Sequence, residues 1–229
     1  AALERLADPL LHRLDELAGD HAAHDLVLEH EAVARLRRLE VDHDVAVLAS
    51  AACGLEASAM VLIEPIFLPQ ILYTAPLSVE QHPLASKSIN RRNHWESAEE
   101  AKSYLRGKAL FADWDEEMLD LYVSYGMEGA PEGGITLACP PKREAGLFMG
   151  GMHLDPWPLL KKVPAPVLVV EGGTSGNRSY INLKKAASMF PSGRYLEVPR
   201  AGHLVPMEKP VETTRILADF FEDAVSAER

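Results

Sequence analysis

The sequence predicts an α/β fold, a mostly parallel sheet flanked by helices, and three stretches carry that expectation. Residues 167–170 (VLVV) form a continuous apolar run behind Pro164 and Pro166, as expected of a strand buried on both faces. That run opens a repeat of strand, glycine-bearing loop, helix, strand and turn that ends at His203. Residues 60–65 (MVLIEP) form a second short apolar run, closed by an acid and a proline.

The C-terminal repeat reads clearly. Gly172, Gly173 and Gly176 open the loop after the strand, and residues 183–190 carry apolar side chains at helical spacing until Pro191 and Gly193 stop them. Residues 195–198 give a second strand, Ala201-Gly202-His203 follows it, and residues 210–224 read as an amphipathic closing helix.

Upstream, residues 1–40 read as helices. Leu3, Leu6, Leu10, Leu14 and Leu17 recur at steps of three and four, and Gly19 ends the run. His12, His21, His24, His30 and His43 cluster in this half, without an HExxH or a Cys/His zinc spacing. They are read as solvated helix-face histidines, and no metal is expected.

Between the two strand regions, residues 93–106 read as a helix in which Ser97 and Glu100 have capping-box spacing. Residues 115–125 read as another, with acids in its first turn and Gly126 just past its end. Residues 135–139 are extended, and 141–148 begin a further helix. Trp95, Trp114, Tyr122, Phe148, Met149, Met152 and Trp157 are read mainly as core packing of a small helical lid. Any that face a site imply an apolar substrate. Arg91 and Arg92 are read as solvated.

The wording AGHLVPMEKP followed by ILADFFEDA, together with VLVVEGG and AMVLIEP, resembles the α/β-hydrolase family. The small-residue stretch 45–52 resembles the helix that follows the family's nucleophile. The resemblance implies three domains' worth of organisation: residues 1–69 with N-terminal helices and the first core strand, 70–160 as a helical cap insertion, and 161–229 as the C-terminal core. It implies an incomplete sheet as well, because the family's front strands and glycine-rich oxyanion loop are not visible before Val41.

The resemblance makes His203 the general base, since the chemistry needs a histidine on a loop beyond a strand end. The catalytic acid stays open between two glutamates. Glu171 ends the strand after which the family usually carries its acid, and is the first candidate. Glu64, at the end of AMVLIEP, is the runner-up, because some members place the acid there. No carboxylate occurs among Gly172, Gly173, Thr174, Ser175 and Gly176.

The nucleophile is the gap in the pattern. The family presents it in a strained G-x-S-x-G turn, and no such pentapeptide occurs in this chain. The turn is expected near residues 40–44, Glu-Val-Asp-His-Asp. Three readings compete. His43-Asp44 resembles the G-H-D-x-G turn of haloalkane dehalogenases and epoxide hydrolases, with Asp42 and Ala46 in place of both glycines. Ser50 sits among small residues but only about ten residues before the next strand, too few for the usual helix between. The third, favoured reading is that the turn is absent, through truncation, deletion or degeneration.

Composition narrows the classes. Hydrophobic residues make up 47% and charged residues 25% of the 229, ordinary for a soluble globular protein. A net charge of -11 argues against a nucleic-acid surface; the densest basic cluster, Arg35, Arg37 and Arg38, is flanked by Glu31 and Glu40. Two cysteines, Cys53 and Cys139, make no disulfide framework and favour a reducing, cytoplasmic compartment. No apolar run approaches the roughly 18 residues of a membrane helix, and no basic-then-apolar leader is visible. The expected function is hydrolysis of small apolar esters or related acyl compounds without a metal or organic cofactor. The alternative is a catalytically inactive or truncated relative that binds a small molecule or a partner.

Overall fold

The structure is a computed structural model that describes residues 57–74, 77–151 and 155–227, with Val47, Ser50 and Ala51 ahead of them. The expected N-terminal helices, their histidines, and Asp44 lie outside the described residues. The chain divides into two compact units, one holding residues 88–144 and the other holding 57–87 with 145–227.

The larger unit is built on a three-stranded parallel sheet. Strand β1 is Met60–Ile63, and the strands to which it leads come much later in the chain, in the order β1-β5-β6. β5 (Val167–Gly172) is the central strand: Met60 to Ile63 register with Val167 to Val170 on one side, and Gly193 to Val198 of β6 (Gly193–Val198) register with Val167 to Gly172 on the other. The unbroken VLVV run follows from this position, because β5 is covered on both faces and every one of its residues is buried.

Successive side chains of a strand point to opposite faces, and the two faces have separate cores. On one, Leu62, Val167 and Val169 pack with Trp157 and Leu160 of helix α5 (Trp157–Leu160) and with Leu183, Ala186 and Ala187 of helix α6 (Leu183–Met189). Val47 is helical and joins this core, as does Ala51. On the other face, Leu168, Val170 and Val198 pack with Ala201, with Val205 of helix α7 (Val205–Glu208), and with Phe220 of helix α8 (Pro210–Ala227). The expected strands and helices of residues 164–224 are all present, shifted by a few residues at their ends.

The smaller unit has an antiparallel sheet in the order β2-β4-β3, made of β2 (His94–Trp95), β3 (Met127–Gly129) and β4 (Ile135–Leu137). Two helices accompany it. In α2 (Ala98–Arg106) Ser97 caps as its spacing predicts, accepting the Glu100 N–H at 3.2 Å. The Glu100 carboxylate reaches back to the N–H of Glu96 at 2.7 Å, one residue earlier than the expected capping box. In α3 (Glu116–Tyr125) Asp115 accepts from the N–H groups of Glu117 and Met118. β2 and β3 were not legible, because strands of two and three residues carry no usable periodicity.

Arg91 and Arg92 are not simply solvated. Arg91 donates to both carboxylate oxygens of Glu144 at 3.0 Å, and Arg92 pairs with Glu100 at 2.6 Å while lying over Trp95 and Tyr104. Helices α1 (Ala85–Ile89) and α4 (Pro141–Gly150) span the sequence junctions between the units. Among the described residues, no helix is long and apolar enough to cross a membrane.

Candidate functional site

The ends of the three parallel strands converge on one carboxylate. Glu64 directly follows β1 and takes φ +50°, the left-handed region that a side-chain-bearing residue rarely occupies. Such a conformation persists where neighbours over-determine it, and here they do. Glu64 Oε1 accepts from the N–H of Gly172, at the end of β5, at 2.6 Å, and Oε2 accepts from the Ser175 hydroxyl at 2.9 Å. Both Glu64 and Ser175 are buried.

His203 arrives from β6. After Val198 the chain turns through Arg200, also at positive φ (59°), and buries Ala201 against the sheet. Glu208 then brackets the histidine: it accepts from the N–H of Gly202 at 2.5 Å and of Leu204 at 3.3 Å, on either side of His203. The loop after β5 is tied to the same turn. Gly173 N–H donates to Val198 at 2.8 Å, and both the N–H and the hydroxyl of Thr174 donate to Ala201 at 2.9 Å. Gly172 has to be glycine here, because a Cβ would lie 2.0 Å from the carbonyl oxygen of Gly202.

These constraints bring His203 Nδ1 to 3.0 Å from Glu64 Oε2. The Glu64 side chain is 3% exposed and that of His203 35%, so the acid is enclosed while the ring keeps an accessible edge. A carboxylate only accepts, so the contact favours the hydrogen on Nδ1 and leaves Nε2 as the basic nitrogen. An imidazole so held can take a proton at Nε2, and the carboxylate behind it stabilises the imidazolium that results.

Glu171 is placed differently. Strand alternation puts it on the same face as Val167 and Val169, where it accepts from the Tyr195 hydroxyl and pairs with Arg178 at 3.3 Å. Arg178 also pairs with Glu197 at 2.8 Å. The Tyr195 phenol is pushed up to about 12, first by burial and then by the Glu171 carboxylate that accepts its hydrogen bond. Of the four sequence-expected residues, the structure therefore brings His203 and Glu64 together, directs Glu171 to a separate cluster, and does not describe Asp44. Ser50 is helical and buried, with no hydrogen-bond partner for its hydroxyl among the described residues.

Sequence reasoning missed three residues at this site. Ser175 and Asn177 lie in the GTSGN loop, where attention to a missing carboxylate hid two neutral polar groups. Ser175 holds Glu64, and Asn177 Nδ2 lies 2.9 Å from His203 Nδ1. Glu208 sits in the AGHLVPMEKP wording itself, five residues after His203. Among the described residues no group of three or more His, Cys, Asp or Glu side chains is arranged to hold a metal.

Known proteins resemble this chain. The chain is 25% identical to the abhydrolase domain-containing protein AFT2-1 of Alternaria alternata, over 72% of this chain and 74% of that protein. ACTT2 of the same organism is 26% identical over the same shares. Among solved structures, E-2-(acetamidomethylene)succinate hydrolase superposes with a TM-score of 0.60 at 20% identity, covering 77% of this chain and 62% of that one. An esterase from Thermogutta terrifontis superposes with a TM-score of 0.53 at 18% identity, covering 80% and 63%. The chain thus spans less than two thirds of either structure, and the likeness shows the fold. A family model described as the alpha/beta hydrolase family matches residues 7–216, well upstream of Val41, where the resemblance legible in the sequence began. With that match over most of its length and a parallel sheet flanked by helices, the chain belongs to the alpha/beta hydrolase family.

Proposed function

We propose that the protein hydrolyses small, mostly apolar esters or related acyl compounds, with His203 as general base and Glu64 as the acid that orients it. The observation that supports this is the 3.0 Å contact between Glu64 Oε2 and His203 Nδ1, held by donors from the ends of β5 and its loop. Nε2 makes no hydrogen bond among the described residues and is the nitrogen that takes a proton from the nucleophile or from water. It later returns that proton to the leaving group, and Glu64 stabilises the imidazolium in between. The names of the superposed esterase and hydrolase support the acyl class.

Asp44 is the nucleophile in the variant with an attacking carboxylate. There the substrate is an alkyl halide or an epoxide: the carboxylate oxygen attacks the carbon, displaces the halide or opens the ring, and forms an alkyl ester on the protein, which water activated by His203 then cleaves to release the alcohol and free the carboxylate. The insertion at residues 70–160 acts as a cap with an apolar lining, and this chemistry calls for no metal or organic cofactor. The cytoplasm is the proposed compartment, and the charge of -11 leaves nucleic acid out of the proposed partners.

A second reading rests on residues 40–44, which contain no glycine. Without a nucleophile turn the protein is an inactive relative that binds a small molecule or a partner. Hydrolysis of p-nitrophenyl acetate and butyrate by wild type and by His203→Ala, with a fluorophosphonate probe on both, separates the two. Activity that disappears in His203→Ala supports the hydrolase, and a labelled serine in the wild type assigns a serine nucleophile. Turnover of a haloalkane or an epoxide without label, with a stalled ester mapped by peptide mass to Asp44, assigns the carboxylate variant. No hydrolysis above His203→Ala leaves the binding protein.

A further inference from the structure

Nδ1 of His203 has two polar neighbours, Glu64 Oε2 at 3.0 Å and the Asn177 side-chain amide at 2.9 Å. A ring nitrogen carries either one hydrogen or one lone pair. An amide N–H aimed at Nδ1 asks for the bare nitrogen, whereas the carboxylate asks for Nδ1–H. The two demands agree only when the amide turns its oxygen to the ring, which a half-turn about χ2 achieves without moving any other atom.

The far end of the amide permits that turn. Tyr180 O–H donates to Asn177 Oδ1 in the present orientation, and the same phenol oxygen accepts from Nδ2 in the other, because a hydroxyl both donates and accepts. The Tyr180 phenol is held above its ordinary value, first by burial and then by the charge of Glu64, so it remains a neutral hydroxyl. The backbone under the amide is fixed. Asn177 N–H donates to the Ser175 hydroxyl at 3.3 Å, and its carbonyl accepts from Tyr180 at 3.0 Å and Ile181 at 2.8 Å.

We propose that Asn177, carried by Tyr180, is a positioning residue that selects the reactive tautomer of His203. Its amide oxygen joins Glu64 Oε2 as a second acceptor for Nδ1–H, which keeps the ring in one plane and Nε2 bare. The assignment rests on His203 acting as the base.

The test reads the ring directly. Two-dimensional 15N–1H correlation of the histidine rings at pH 8 is recorded for wild type, Asn177→Leu, Tyr180→Phe and Glu64→Gln, with the His203 signals identified by their loss in His203→Ala. The expected result is a protonated Nδ1 and bare Nε2 in wild type, a mixture of tautomers in Asn177→Leu, and a smaller change in the same direction in Tyr180→Phe. Where hydrolysis is measurable, Asn177→Leu lowers kcat about tenfold with KM within about twofold. An Asn177→Leu spectrum unchanged from wild type, beside a changed Glu64→Gln spectrum, overturns the role of Asn177 and leaves the Glu64–His203 pair standing. A wild-type ring protonated at Nε2 overturns both.

Discussion

Glu64 and His203, 139 residues apart in sequence, meet across the middle strand of the sheet. Glu64 follows β1 and His203 follows β6, the two strands that flank β5. The two meet because Gly172, where β5 ends, offers its N–H to Oε1 and, having no side chain, lets the Ala201 and Gly202 carbonyls of the histidine turn lie against it.

The first prediction separates the two glutamates. Glu64→Gln keeps the size of the side chain but turns a two-oxygen acceptor into an amide, so the histidine loses the partner that fixes its tautomer. On the proposed hydrolase reading, kcat falls by about 10²- to 10⁴-fold, as expected when an orienting acid is neutralised. Glu171→Gln, which disturbs the Tyr195–Arg178 cluster instead, falls short of that loss by at least about tenfold. Equal losses in the two variants would refute the assignment of Glu64.

Gly172→Ala tests the close approach of the loop after β5 to the histidine turn. The added Cβ meets backbone oxygens at 2.0 and 2.5 Å, from Gly202 and Ala201, and neither can move without displacing His203. A stability loss of about 1–3 kcal/mol in urea unfolding is expected, with a larger loss of activity than of fold. A variant as stable and as active as wild type would show that the two loops are not in contact.

Tyr195 predicts sensitivity to alkali. Its proton is bound more tightly in the folded chain, about 12 against 10.0. The stabilisation is therefore complete below pH 10 and is lost as pH rises from 10 towards 12. Tyr195→Phe has no proton to lose and flattens the fall in urea midpoint over that range. Parallel midpoint curves for the two proteins would remove Tyr195 from the alkaline transition.

His82 predicts the opposite limb. Its ring is buried, and Nδ1 accepts from the N–H groups of Leu84 and Ala85 at 3.2 Å at the start of α1. Burial holds its pKa below the ordinary 6.5. The unfolded chain therefore takes up a proton first, and stability drops as pH falls below 6.5, levelling off beneath the folded-state value. His82→Asn keeps an acceptor at this position and loses that pH dependence. If the acid limb is the same in both proteins, other groups produce it.

The sequence carried the architecture further than the site. Residues 167–170 were legible as a strand buried on both faces, because an uninterrupted apolar run suits a strand so covered. The turn that carries His203 was legible because a histidine behind a strand, followed by an amphipathic helix, occurs in a specific order. Which glutamate meets His203 was not legible. Glu171 sits nearest the expected position in the chain, yet pleating turns it towards Tyr195. Glu64 reaches the histidine through a backbone conformation that its residue type disfavours, so no local preference could have announced it.

What the sequence determined by itself is therefore local and periodic: which segments alternate, which are apolar throughout, and where glycine and proline punctuate them. The tertiary structure alone decided which carboxylate faces His203, and that Ser175, Asn177 and Glu208 serve the pair. The physical reason is that hydrogen-bond partnership depends on the register of three strands and on the side to which each chain leaves the sheet. Those quantities are set by packing across more than a hundred residues of sequence, beyond the reach of any pattern within one segment.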